Sequence, residues 1–109
     1  MVQIRGGEVI ARMLQKEGVD KVFGIIDGTY FGFYSALHRL GIEIVTVPDS
    51  AIVDAMWTII ERCKVVAEPA AAAGLAALIS GAAAVDPGSS VVCIVTGGNV
   101  DREKLRSLA

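Results

Sequence analysis

Residues 21–47, KVFGIIDGTYFGFYSALHRLGIEIVTV, carry the pattern that decides the fold. Two short β-branched runs, 21–25 and 43–47, flank a segment near 30–40 in which Tyr34, Leu37 and Leu40 recur at helical spacing. Gly41 follows the last apolar position, where a glycine that tolerates left-handed backbone ends a helix. Strand, helix and strand in this order make a βαβ unit, whose crossover requires the two strands to run parallel.

Upstream, residues 7–17 predict a helix with Val9, Ile10, Met13 and Leu14 on its inward face and Gly18 as its stop. Downstream, a third helix is expected after Pro48, with Asp49 as its cap and Ile52, Met56, Ile59 and Cys63 turned inward. Trp57 lies off that stripe and is expected to be partly exposed. A strand at 65–67 leads to Glu68 and Pro69, which open a fourth helix so rich in alanine that Ala70, Ala73, Gly74 and Ala77 are expected to form a close-contact face. Asp86, Pro87 and Gly88 turn the chain into a run at 90–96, SVVCIVT, apolar enough to be a central strand buried on both sides. A short last helix carries Leu105 and Leu108. The expected fold is a single α/β domain over 1–109, three-layered and Rossmann-like or flavodoxin-like. Its four-stranded parallel sheet would have order 2-1-3-4 and right-handed crossovers.

Composition narrows the function classes. The 109 residues suit one domain, and 53% hydrophobic against 20% charged residues is apolar even for a small globule, so part of that surface is expected to need a partner. A net charge of -2 with scattered Lys and Arg offers no field for a polyanion, so no nucleic-acid partner is expected. No apolar run reaches the length of a membrane span, and the first residues lack the pattern of a signal peptide. A soluble, cytoplasmic protein without a membrane partner is the expectation. Cys63 and Cys93 are too few for a disulfide framework and, with the single His38, too few for a metal site. Both are expected as reduced core residues.

Two glycine turns are the candidate sites. Thr96, Gly97, Gly98 and Asn99 follow the predicted fourth strand, and their backbone amides either face an anion such as phosphate or form a plain strand-to-helix turn. Asp101 and Glu103, just beyond, compete for the same positive helix end. Asp27, Gly28 and Thr29 follow the first strand, where open α/β sheets bind ligands; alternatively they make the turn and cap the next helix. Tyr30, Phe31, Phe33 and Tyr34 suit a helix packed on the sheet.

The first 47 residues, through GGEVIARMLQKEGVDKVFGIIDG and FYSALHRLGIEIVTV, resemble the pyrimidine-binding domain of thiamine-diphosphate-dependent enzymes of the acetolactate synthase kind. The resemblance implies a catalytic Glu where this chain has Ser50, beside Asp49, and serine cannot exchange the proton that ylid formation requires. Residues 48–109, through PDSAIVDAMWTIIERCKVVAEPAAAAGLAALISG and VVCIVTGGNVD, resemble the end of the catalytic domain of threonine dehydratases, in the pyridoxal-phosphate fold-type II group. There a Ser or Cys before Gly-Gly-Asn meets the pyridine nitrogen of the cofactor, and here the residue is Thr96. Lys64 does not match the lysine that attaches the cofactor; it reads as a solvated cation at a helix end.

Together the resemblances imply an engineered chimera joined near 47/48, with no bound cofactor or metal and no catalytic activity. The alternatives are a weak binder of phosphate or a phosphorylated cofactor, and a natural enzyme fragment that needs a partner subunit. Surfaces freed from parental contacts would favour a homo-oligomer.

Overall fold

The computed structural model describes residues 4–24 and 28–108. The chain divides into two compact units, Met1–Thr46 and Val47–Ala109.

In the first unit, α1 (Gly6–Lys16) precedes β1 (Lys21–Phe23), a 3-10 turn (Gly28–Tyr30), α2 (Phe31–Arg39) and β2 (Glu43–Val45). The strands pair in parallel, with Lys21 beside Glu43, Val22 beside Ile44 and Phe23 beside Val45. Backbone bonds from Glu43 to Asp20 and from Gly24 to Val45 extend the ladder at both ends. The βαβ unit is therefore present as the sequence predicts. Gly18 and Gly41 both adopt positive φ just past α1 and α2, as their stop roles require.

The packing face of α1 differs from the expected one. Ala11 is buried and Leu14 packs on the Ala36, Leu37 and Ile42 cluster, while Val9, Ile10 and Met13 are exposed. The reason is closeness: a Cβ on Gly7 would stand 2.8 Å from the backbone nitrogen of Phe33, so α1 meets α2 through its smallest residues. The large apolar residues then point away from α2 and find no second layer within this unit. The Gln15 side chain donates to the Leu40 carbonyl, so the two helices run in the same direction. Of the aromatic group, Phe33 and Tyr34 pack against the cluster, whereas Tyr30 and Phe31 are exposed.

In the second unit, α3 (Asp49–Cys63), α4 (Pro69–Ile79) and α5 (Arg102–Ser107) surround one core. Ile52, Ala55, Met56 and Ile59 of α3 pack on Ala71, Ala72 and Ala76 of α4, with Leu105 and Leu108 closing over them. Each buried Ile or Met contributes about 1.5–3 kcal/mol by leaving water. The half-buried Trp57 donates its indole N–H to the Leu108 carbonyl at 3.2 Å and ties α3 to the end of α5. Pro69 occupies the first turn of α4, as expected.

Four expectations change here. The N-cap of α3 is Pro48 and Asp49 lies inside the first turn. Cys63, the last residue of α3, and Cys93 are free but exposed rather than buried in the core. Of the expected close face of α4, Ala73 and Ala77 are buried, but the packing on α3 is made by Ala71, Ala72 and Ala76, leaving Ala70 exposed and Gly74 with open space around its Cβ position.

The fourth change concerns the sheet. Among the described residues the sheet has two strands, and 65–67 and 90–96 form no ladder. The backbone bond between the neighbourhoods of these segments falls just past them, where the Glu68 N–H donates to the Gly97 carbonyl at 3.0 Å. Strand character is still visible in alternation. Val91, Cys93 and Val95 line an apolar cavity of about 410 Å³ with Ile59, Cys63, Ala71, Leu75 and Leu78, while Val92 and Ile94 on the opposite face are 86% and 77% exposed. Burial on both sides, which the uniform apolar run predicts, needs neighbours on both sides, and this unit supplies helices on one face alone.

Candidate functional site

The turn Thr96-Gly97-Gly98-Asn99 is built against the segment before α4. A Cβ on Gly98 would stand 2.7 Å from the Val66 carbonyl oxygen, and a Cβ on Gly97 would meet the Glu68 carboxylate at 2.8 Å. Gly98 is therefore required by close approach to fixed backbone, whereas the neighbour of Gly97 is the end of a side chain that can turn aside. The Asn99 backbone N–H donates to the Glu68 carboxylate at 3.0 Å, 31 residues away in sequence. The turn does meet an anion, and that anion is the chain's own Glu68.

Beyond the turn, the Asp101 side chain accepts from the Lys104 backbone N–H at 2.7 Å and caps α5, so the acidic first turn is occupied from within. Thr96 is exposed. Lys64 holds a left-handed conformation at the end of α3 and donates through Nζ to the Glu61 carbonyl at 2.9 Å, which is the helix-end role expected of it. Ser50 lies exposed in the first turn of α3.

Of the other candidate turn, Asp27 lies outside the described residues, and Gly28 and Thr29 form the 3-10 turn of the first unit. The structure thus places Gly28 and Thr29 in one unit and Thr96, Gly97, Gly98 and Asn99 in the other. Sequence reasoning missed Glu68 as a turn-holding residue, having assigned it only to the start of α4. Its signal was the two adjacent glycines, which imply a close neighbour without naming it. Among the described residues no group of three His, Cys, Asp or Glu side chains gathers as metal ligands, and no helix is long and apolar enough to cross a membrane.

A second polar cluster lies in the first unit, along α1 and α2. Glu8 accepts from Arg12 at 2.9 Å through one oxygen and pairs with Arg39 through the other, and Arg39 also donates to the Ser35 hydroxyl at 2.8 Å. Partial desolvation pushes the Glu8 carboxyl up, but the hydrogen bonds and charges of Arg39 and Arg12 together outweigh it and hold its pKa below the usual value. Across the strands, the hydrogen bond and charge of Glu43 raise the Lys21 pKa.

Comparison with known proteins assigns the family. The model of the pyridoxal-phosphate dependent enzyme family matches residues 2–97. The L-threonine dehydratase biosynthetic IlvA of Mycobacterium tuberculosis is 39% identical over 70 residues, covering 62% of this chain and 16% of the relative. The beta-hydroxyaspartate dehydratase of Paracoccus denitrificans is 46% identical over 63 residues, covering 58% and 20%. A serine racemase of Oryza sativa subsp. japonica is 46% identical over 63 residues, covering 54% and 19%. The chain therefore spans about a fifth or less of the length of these curated relatives. No solved structure matches the chain significantly.

The expectation of a protein that is not an enzyme is overturned, because the family is one of enzymes and these relatives are dehydratases and a racemase. The family match also runs unbroken through residues 47 and 48, and so lends no support to an engineered origin or to a thiamine-diphosphate parent. On that match the chain belongs to the pyridoxal-phosphate dependent enzyme family.

Proposed function

We propose that this chain forms part of a pyridoxal-phosphate dependent enzyme acting on hydroxylated amino acids, and that it works together with a polypeptide supplying the rest of the catalytic domain. The observation that carries this reading is the segment 90–96. It is uncharged and apolar, exposes Val92 and Ile94 on one face, and makes no backbone hydrogen bond among the described residues. A row of unpaired backbone groups beside exposed valines is costly to leave bare and is a template for a neighbouring strand. The segment leads directly into the Thr96-Gly97-Gly98-Asn99 turn, so a strand added there would bring a second polypeptide to that turn.

The turn fits one end of the cofactor and not the other. The Thr96 hydroxyl can hydrogen-bond a ring nitrogen, and the close-packed glycines hold that hydroxyl's backbone against the Val66 carbonyl. A phosphate group does not fit, since the Glu68 carboxylate already takes the Asn99 amide and would repel it. When bound, the cofactor supplies an electron sink for chemistry at the α-carbon of an amino acid. The phosphate-holding segment and the lysine that attaches the cofactor are assigned to the part of the catalytic domain outside this sequence. Of this chain's four lysines, Lys21 pairs with Glu43, Lys64 with the Glu61 carbonyl, and Lys16 and Lys104 are exposed on α1 and α5.

The test is complementation. A threonine dehydratase lacking the segment that matches this chain is mixed with it in the presence of pyridoxal phosphate, and cofactor circular dichroism and ammonia release from threonine are followed. The expected outcome is a signal that grows with the concentration of this chain, and that disappears when Val92 and Ile94 are both replaced by Lys. A signal independent of this chain would sink the proposal.

A further inference from the structure

We propose that the cleft lined by α1 and α2 binds an organic phosphomonoester. This site is independent of the cofactor turn and uses none of its residues. Arg5, Glu8 and Arg12 from α1 and its approach, with Phe31, Gly32, Ser35 and Arg39 from α2 and Ile4 at the rim, enclose about 340 Å³, at the small end of the range for ligand pockets. Three guanidinium groups stand against one carboxylate, so the lining is strongly cationic in a chain whose net charge is negative.

The cluster is organised beforehand. Glu8 pins Arg12 through one oxygen and Arg39 through the other, and Ser35 fixes a second nitrogen of Arg39. Each guanidinium has five N–H donors, so both keep donors free after these bonds. The Arg5 carbonyl accepts from the Glu8 and Val9 amides, but its guanidinium makes no hydrogen bond or ion pair among the described residues, which leaves the fork unused. The helices cannot slide apart cheaply, because Gly7 lies directly on the backbone of Gly32 and Phe33.

Charge and surface together select the ligand. A phosphomonoester carries about -1.5 to -2 charges at neutral pH and offers oxygens that match paired guanidinium forks. Phe31, 72% exposed, and Ile4, 52% exposed, give the same cleft an apolar rim with no protein partner for an attached organic group. Inorganic phosphate satisfies the first requirement alone, and a carboxylate such as benzoate satisfies the second with too little charge.

The experiment is an amide NMR titration of the full chain with phenyl phosphate, inorganic phosphate and benzoate, each at low ionic strength. Phenyl phosphate is expected to shift the amides of Arg5, Gly32, Ser35 and Arg39 saturably, and to bind about tenfold tighter than either of the others, a difference of about 1.4 kcal/mol. Arg5→Gln removes the one uncommitted fork and should weaken phenyl phosphate about tenfold with the melting midpoint unchanged, since the Arg5 side chain has no partner among the described residues and its backbone carbonyl still accepts from Glu8 and Val9. Phe31→Ser should bring phenyl phosphate down to the affinity of inorganic phosphate. The proposal is overturned if phenyl phosphate leaves these amides unshifted, if it binds no tighter than inorganic phosphate, or if Arg5→Gln binds as the parent does.

Discussion

The Glu68 carboxylate accepts the Asn99 backbone N–H at 3.0 Å while the Glu68 backbone N–H donates to the Gly97 carbonyl at 3.0 Å. One residue thus grips the glycine turn from both sides. It holds the turn as an external anion would, and it is the N-cap of α4 rather than part of the turn.

Replacing Glu68 with Ala should therefore have two effects. Loss of a charge-assisted bond in a half-exposed place is expected to cost about 1 kcal/mol, read as a lower urea midpoint. The freed Asn99 amide should also become receptive, so millimolar phosphate should shift its resonance in the variant and leave it unmoved in the parent. An Asn99 amide that stays silent in both would show that Glu68 does not guard the turn.

Gly7 and Gly74 should respond in opposite directions to alanine. At Gly7 the new methyl group meets backbone atoms of Gly32 and Phe33 within 3.1 Å, and backbone has no rotamer to yield. The overpacking cost of about 1–3 kcal/mol exceeds the helix-propensity gain of about 1 kcal/mol, so Gly7→Ala should lower stability. At Gly74 nothing lies within 4 Å, so the propensity gain stands alone and Gly74→Ala should raise stability by about 0.5–1 kcal/mol. Chemical denaturation of the two variants side by side decides it.

Lys64 ends α3 with φ at 59°, a left-handed conformation that costs a residue with a Cβ about 1–2 kcal/mol. Lys64→Gly removes that strain and forfeits one exposed hydrogen bond to the Glu61 carbonyl. The expected net gain is about 0.5–1 kcal/mol, seen as a higher melting midpoint; an unchanged or lower midpoint would show that the exposed bond matters more than the strain.

The acid side of the stability curve should depend on Glu8. Its folded pKa lies below the ordinary value of 4.5, so its stabilising contribution is full above that value and is lost as the pH falls through the folded one. Glu8→Gln removes the titration, and the variant should lose less stability than the parent between about pH 5 and the acid limit. Lys21 acts at the other end: its pKa is raised above 10.5 by Glu43, so its contribution is full below 10.5 and fades as the pH rises through the folded value. Urea melts across the pH range, with Glu8→Gln and Lys21→Met beside the parent, test both signs.

What the sequence determined alone is local. The turn-ending roles of Gly18 and Gly41, the entry of Pro69 into α4, the inward set Ile52, Met56 and Ile59, and the parallel pairing around α2 follow from sterics and periodicity within a few turns of chain. The threonine dehydratase resemblance of the second half was legible for the same reason, since it rests on contiguous text.

The tertiary structure decided everything that needs a neighbour. Apolar side chains at 9, 10 and 13 state that a face wants covering, yet Gly7 and Ala11 determine which face α2 covers, because a helix packs closest where it is thinnest. The run 90–96 has the composition of a central strand, but a strand is completed by hydrogen bonds to other backbone, and among the described residues this unit offers none to the run, the nearest being accepted just past it by Gly97. Glu68 and Asn99, like Glu8 and Arg39, stand 31 residues apart. No spacing rule reaches that far, and only the folded chain brings each carboxylate to its partner.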